Sequence, residues 1–153
     1  MKILKKLKPE ERGLTRTLWE QVFTEDTKEF LDYYYTEKTK NNEIYVIETD
    51  HDIRAMMQLN PYVIQMGKKA VESRYIVAVA TEPLYRHRGY MAELLSKTAR
   101  DLYQQGKLKI LHSSHAYRTG SSETTIIDKS IDKADEILLQ VKAVFEKVLN
   151  IEQ

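Results

Sequence analysis

The chain has 153 residues, of which 42% are hydrophobic and 31% charged, which predicts one globular domain and excludes a disordered composition. Its 24 basic and 23 acidic residues give a net charge of +1, so no general field attracts nucleic acid or an anionic membrane. Cysteine is absent, which excludes disulfides, thiol nucleophiles and zinc-thiolate sites.

The lysine-rich start, residues 1–7, has two readings. It can be an edge strand or an amphipathic contact with a membrane, and we favour the strand. Its apolar content is too short for a secretory signal, and no apolar run in the chain approaches the roughly 20 residues that span a bilayer. We therefore expect a cytoplasmic protein with no membrane or nucleic-acid partner.

Two helices are predicted next. Pro9 opens the first at the position where its missing N–H costs nothing. The apolar face of this helix comprises Leu14, Leu18, Trp19, Val22 and Phe23. Asp26 and Glu29 resemble a capping box for the second helix, which carries the run Tyr33–Tyr35. Aromatic residues at helical spacing usually belong to the core or cover the surface.

A meander of antiparallel strands follows. The predicted strands are residues 43–48, 53–60, 62–65 and 70–80. A polar hairpin turn at residues 49–52 joins the first two, and Gly67 lies in the turn before the last. Pro61 lacks an N–H, so we expect a bulge or bend there. Tyr75–Ala80 is apolar enough for a strand that is covered on both faces.

The central stretch, Tyr75–Gly106, reads as this buried strand, a glycine loop and a helix. Apolar residues recur at three- and four-residue spacing from Met91, which predicts a helix that begins near Gly89 and ends at a Gly106 C-cap. A helix N-terminus offers free N–H groups, and a glycine lets an anion approach them. With Arg88 alongside, the loop is either a pyrophosphate cradle or a plain strand-to-helix turn.

Arg86-x-x-Gly89-x-Met91, placed between a central strand and a long helix, resembles the acyl-CoA signature of the GNAT N-acetyltransferases. Met91 departs from the small residue usual at the third position. The segment VATEPLYRHRGYMAELL resembles the corresponding sequence in the branch typified by the enhanced-intracellular-survival aminoglycoside acetyltransferases. The resemblance covers about residues 1–117.

The resemblance implies an α/β fold of the GNAT type, with a mixed, mostly antiparallel sheet and helices on both faces. We expect one domain over residues 1–153, consisting of a core (1–120) and a divergent helical tail (121–153). The activity implied is transfer of an acetyl group from acetyl-CoA directly to a primary amine on a small molecule or peptide. The alternative is a non-catalytic acyl-CoA-binding or protein-interaction domain of the same fold.

Individual residues carry over from the resemblance. In the family the second helix lies beside the acceptor site, so Tyr33–Tyr35 can line a substrate pocket, with core and surface cover as the alternative. Val79, Ala80 and Thr81 are expected at the pantetheine and acetyl end of acetyl-CoA. The signature residues expected around the pyrophosphate are Arg86, His87, Arg88, Gly89, Tyr90, Met91 and Ala92. Tyr117 resembles the tyrosine that protonates the departing thiolate, although a packing tyrosine is the alternative. No general base is assigned; a water chain, Glu82 and the carboxylate of Gln153 are candidates.

The remaining segments are less informative. Residues 108–111 should form a strand parallel to the central one, through a right-handed crossover, and in the family the slot between the two holds the pantetheine arm. One brief strand is expected within residues 121–130. From Ile131 a long amphipathic helix is expected, whose apolar stripe serves as core or as a homo-oligomer contact.

A histidine- and serine-rich segment offers two further readings, which we reject. His112 and His115 can be read as metal ligands, and Ser113 or Ser114 as a nucleophile with a histidine partner. Side chains so close together on one short segment rarely converge, and neither a carboxylate nor a glycine elbow accompanies them. We therefore expect no metal site.

Overall fold

The computed structural model describes residues 1–104, 109–115 and 122–128. The strands are β1 (Lys2–Lys6), β2 (Glu43–Thr49), β3 (Asp52–Met66), β4 (Lys69–Thr81), β5 (Lys109–His115) and β6 (Ser122–Asp128). The α-helices are α1 (Arg16–Val22), α2 (Lys28–Glu37) and α3 (Tyr90–Gln104). The chain forms two compact units, one of Met1–Asn60 with Val77–Leu94, the other of Pro61–Ile76 with the described residues from Leu95 onward.

The first unit is built on an antiparallel sheet. β1 pairs with β2, and β2 pairs with β3 through the tight turn at Asp50 and His51, where both residues have positive φ. This is the backbone that suits a hairpin of right-twisted strands, and it confirms the predicted turn. The division into two strands at Pro61 is wrong, because β3 continues through it, whereas the bulge or bend expected there stays a prediction. Its described pairing with β2 ends at Leu59, so the missing N–H breaks no bond in that ladder.

One face of this sheet carries the main core. Side chains from β2 and β3 pack there against α1 and α2, together with Leu7 and Ala80. The buried members from the sheet and helices are Leu18, Trp19, Leu31, Tyr34, Ile44, Val46 and Met56. The start of α3 covers the opposite face, where Tyr90 contacts Lys2 and Thr49. The antiparallel part of the predicted sheet, with helices on both of its faces, is confirmed in this unit.

The two N-terminal helices differ from the prediction at their starts. Pro9–Thr15 is a 3₁₀ helix, which turns more per residue than an α-helix, so Leu14 leaves the apolar face and is 61% exposed. The cap of α2 is Thr27, whose hydroxyl accepts from the Phe30 N–H at 3.1 Å. Asp26, expected in that role, instead accepts from Nε1 of Trp19 at 2.7 Å.

A network of hydrogen-bonded polar side chains lies beneath α2. Gln58 on β3 is fully buried; its Oε1 accepts from the Tyr34 hydroxyl at 2.9 Å and from Asn42 at 3.1 Å. Its Nε2 is 3.3 Å from both Thr15 Oγ1 and the Tyr35 hydroxyl. Burial raises the pKa of both tyrosines, so the two phenols stay neutral. Tyr34 is thus a core residue, as its spacing indicated.

The second unit contains the parallel pairing predicted from the crossover rule. β5 pairs with β4 in parallel, from Arg74 opposite Ile110 to Ile76 opposite His112. β6, the brief strand expected in residues 121–130, pairs with β5 antiparallel. Leu95, Thr98, Ala99 and Leu102 form the buried face of α3 in this unit. The predicted C-cap and tail helix lie outside the described residues.

None of the helices in the described part of the chain combines the length and hydropathy that a membrane-spanning helix requires. Within the same residues, no group of three or more His, Asp or Glu side chains is placed to hold a metal ion.

The buried amide of Gln58 yields a stability prediction. Gln58→Met keeps the volume but leaves the Tyr34 hydroxyl and Asn42 short of partners, so we expect unfolding to become easier by about 1–3 kcal/mol. Urea denaturation followed by the fluorescence of Trp19, the single tryptophan, measures this. The control Glu20→Gln breaks an exposed pair with Arg16 and should cost less than about 0.5 kcal/mol. Equal effects would contradict a structural role for the network.

Candidate functional site

The end of β4 departs from regular strand geometry. Ala78 has φ 51°, a left-handed conformation that costs a residue with a Cβ roughly 1–2 kcal/mol and tends to occur at functional sites. Such a residue redirects the peptide groups on either side of it. The side chains of Val79 and Ala80, which follow, are buried. These two residues can therefore contact a ligand only through main-chain atoms. Thr81 then ends the strand.

Glu82, the next residue, is tied to β3 by two bonds with one partner. Its N–H donates to the carbonyl of Arg54 at 2.8 Å, and its Oε2 accepts from Nη1 of the same arginine at 2.6 Å. Nη2 of Arg54 binds Asp52 at 2.8 Å. The hydrogen bond to Glu82, followed by the nearby negative charges, raises the pKa of Arg54, which therefore stays charged. The start of the loop after β4 is fixed in place.

The loop itself bends back towards the strand it follows. Pro83–Tyr85 forms one 3₁₀ turn, after which Nε of Arg86 donates to the carbonyl of Thr81 at 3.2 Å. Arg86 opens the signature, yet its described bond is to the main chain, so it shapes the loop. His87, with φ 62°, and Gly89, with φ 78°, both adopt the left-handed conformation. These two left-handed residues turn the backbone into the first turn of α3.

The N-terminus of α3 faces open space. A Cβ built on Gly89 would meet no atom within 4 Å, so nothing described blocks approach to the backbone there. The side chains of Tyr90 and Met91 are buried, at 8% and 7% exposure, whereas Ala92 is exposed. Met91 therefore does not fill the loop, although it is larger than the residue expected. Free N–H groups and a partial positive charge at this helix end favour an anion.

Tyr85 and Arg88 complete the exposed side of the loop. The guanidinium of Arg88 lies over the Tyr85 ring, with Cζ 4.7 Å from the ring centroid. Among the described residues, no carboxylate forms an ion pair with Arg88. The Tyr85 ring also lies 6.1 Å from that of Tyr90. The sequence interpretation overlooked Tyr85 and Arg54; an aromatic residue just ahead of the signature was the one available signal.

The remaining candidates have different outcomes. Tyr117 and Gln153 lie outside the described residues, so both assignments stay predictions. Ser113 and its neighbours form β5, but their side chains are not among those described. Tyr33, on α2, is 51% exposed, and Tyr35 is half-buried. The run of tyrosines thus divides between core and surface.

Comparison with known proteins places this geometry in a family. Residues 4–119 match the model of the acetyltransferase (GNAT) domain. No curated protein matches the sequence at a significant level.

Solved structures share the fold at low identity. A protein from Enterococcus faecalis, described as a probable N-acyltransferase, superimposes with a TM-score of 0.68 and 18% identity, over 76% of this chain and 30% of its own. A predicted acetyltransferase from Clostridium acetobutylicum, solved with acetyl-CoA, gives 0.60 and 16%, over 73% of this chain and 80% of its own. An aminoglycoside acetyltransferase from a soil metagenome gives 0.57 and 15%, over 96% and 86%.

Identities this low show the fold alone, and the chain spans about 30% of the Enterococcus protein. The family model is the stronger finding, because it matches most of the chain and includes both the bent end of β4 and the loop before α3. The chain therefore belongs to the acetyltransferase (GNAT) domain family.

Proposed function

We propose that this chain is an N-acetyltransferase that uses acetyl-CoA to acetylate a primary amine by direct transfer. The observation that carries the proposal is the open, left-handed Gly89 at the N-terminus of α3, directly after a strand with a left-handed residue at Ala78. The first feature suits a pyrophosphate. The second suits a thioester carbonyl that needs a main-chain donor.

The chemistry divides into three steps. A neutral amine attacks the thioester carbonyl, the C–S bond breaks, and the amine proton passes to solvent or a base. The N–H of Val79 is the donor we propose for the carbonyl oxygen as it becomes an oxyanion. Tyr117 is proposed to give its phenolic proton to the thiolate and to recover a proton from water. The products are an amide and free CoA.

Glu82 is a poor candidate for the base. Its carboxylate is occupied by Arg54 at 2.6 Å, and its side chain is 13% exposed. Protonating that carboxylate would weaken the pair and leave the partly buried Arg54 with Asp52 as its one described carboxylate partner. We therefore propose a water chain as the route for the amine proton.

The nature of the acceptor is a narrower proposal. A metagenomic relative of this fold is an aminoglycoside acetyltransferase, with one structure in complex with sisomicin. The wording around Arg86 also resembles the enhanced-intracellular-survival branch. Both support an amine on a small molecule, and a peptide amine is the other class that we propose. We also propose a cytoplasmic location. A homo-oligomer through the tail remains part of the proposal.

Gly89 gives the first test. We expect Gly89→Ala to weaken acetyl-CoA binding at least about 10-fold, because the Cβ enters the space an anion would occupy and strains the left-handed backbone. Gly67→Ala is the matched control: it has φ 61° and equally open surroundings, but lies in the β3–β4 turn. Isothermal titration with acetyl-CoA measures both. Equal losses in the two variants would contradict a cradle at Gly89.

Tyr117 gives the second test. Tyr117→Phe should lower kcat by about 100-fold or more while acetyl-CoA binding is retained, because only proton donation is removed. Release of free thiol, measured across a panel of primary amines, reports kcat. Tyr62→Phe, which alters an exposed tyrosine on β3, is the control. Binding without thiol release from wild type, for every amine, would instead favour the non-catalytic acyl-CoA-binding domain.

A further inference from the structure

The Tyr85 ring is shared by two guanidinium groups. Cζ of Arg54 and Cζ of Arg88 each lie over it, 4.7 Å from the ring centroid. Cations are attracted to the face of an aromatic ring by its quadrupole. The ring therefore fixes where both charges lie, although they come from different parts of the chain.

The two arginines differ in charge balance. Arg54 has two carboxylates, Asp52 at 2.8 Å and Glu82 at 2.6 Å, so its charge is already matched. Arg88 is exposed, and within the described ranges it has a ring contact but no carboxylate partner. The carboxylates therefore hold Arg54 in place, whereas the guanidinium of Arg88 can bind an anionic ligand. The position of Arg88 is set by Arg54 through Tyr85.

An acyl-CoA carries two kinds of phosphate. The pyrophosphate is a diester with a single charge on each phosphorus, which several backbone N–H groups can hold at a helix N-terminus. The ribose 3′-phosphate is a monoester with three terminal oxygens and a charge near −2 above its second pKa of about 6. A guanidinium fork matches such a group through two parallel hydrogen bonds.

We propose that Arg88, held on Tyr85, is a subsite for the phosphomonoester of the acyl donor, distinct in role from the N-terminus of α3. Tyr85 and Arg54 are positioning residues for it. This inference rests on the proposed use of an acyl-CoA. The loop then distinguishes the two kinds of phosphate by their charge. The backbone N–H groups at the N-terminus of α3 bind the pyrophosphate diester, and Arg88 binds the phosphomonoester.

The test compares acetyl-CoA with acetyl-dephospho-CoA, which lacks only the 3′-phosphate. Wild type should bind the dephospho form roughly 5- to 10-fold more weakly, since the subsite is exposed. Arg88→Gln should bind both donors equally, at the wild-type level for the dephospho form. The preference of wild type should also shrink below about pH 6, where the phosphate gains a proton.

Substitutions at Tyr85 separate positioning from folding. Tyr85→Phe keeps the ring and should keep the preference, whereas Tyr85→Leu should lose it while the melting temperature stays near wild type. Arg100→Gln, at an exposed arginine on α3, controls for the loss of one positive charge. It should retain the full preference.

Three results would overturn the subsite. If Arg88→Gln weakens the binding of both donors by the same factor, Arg88 contacts the pyrophosphate. Wild type that binds both donors equally would show that the monoester is not recognised. If wild type binds neither donor, the proposed use of acyl-CoA fails, and the subsite fails with it.

Discussion

The paired contact between Arg54 and Glu82 is the constraint on which the candidate site depends. One main-chain bond and one ion pair, both between the same two residues, tie β3 to the end of β4. Such a partly buried pair adds little net stability, because desolvation offsets most of the attraction. Its effect is geometric: it fixes the point at which the loop leaves the sheet, and hence the direction in which Gly89 and α3 present their backbone.

The face of the sheet that α1 and α2 cover contributes to stability through packing. There an aromatic cluster around Trp19, with rings at 4.6 Å from Tyr34 and 5.8 Å from Phe23, joins α1 to α2. The buried amide of Gln58 then fixes α2 on β3. Apolar contacts tolerate sliding, whereas hydrogen bonds to a buried amide do not, so the polar set specifies the position of α2 that the aromatic cluster stabilises.

Local rules predicted the elements well. Alternation, turn chemistry and the switch of period at Gly89 located the strands of the meander, the hairpin at Asp50 and the start of α3. They failed where the outcome depends on a contact made outside the element itself. Pro61 was read as a break without knowledge of where β2 pairing ends, and Asp26 as a cap without knowledge that Trp19 takes its carboxylate.

The residues of the candidate site were likewise predicted only in part. Arg86, Arg88 and Gly89 are adjacent in sequence and were found by their order, but Arg54 lies on another strand, and no spacing connects it to the loop. Met91 has a wider consequence. Its side chain is buried, so residue size at the signature's third position is limited in this chain by interior packing. Sequence patterns that demand glycine or alanine there would therefore miss chains of this kind.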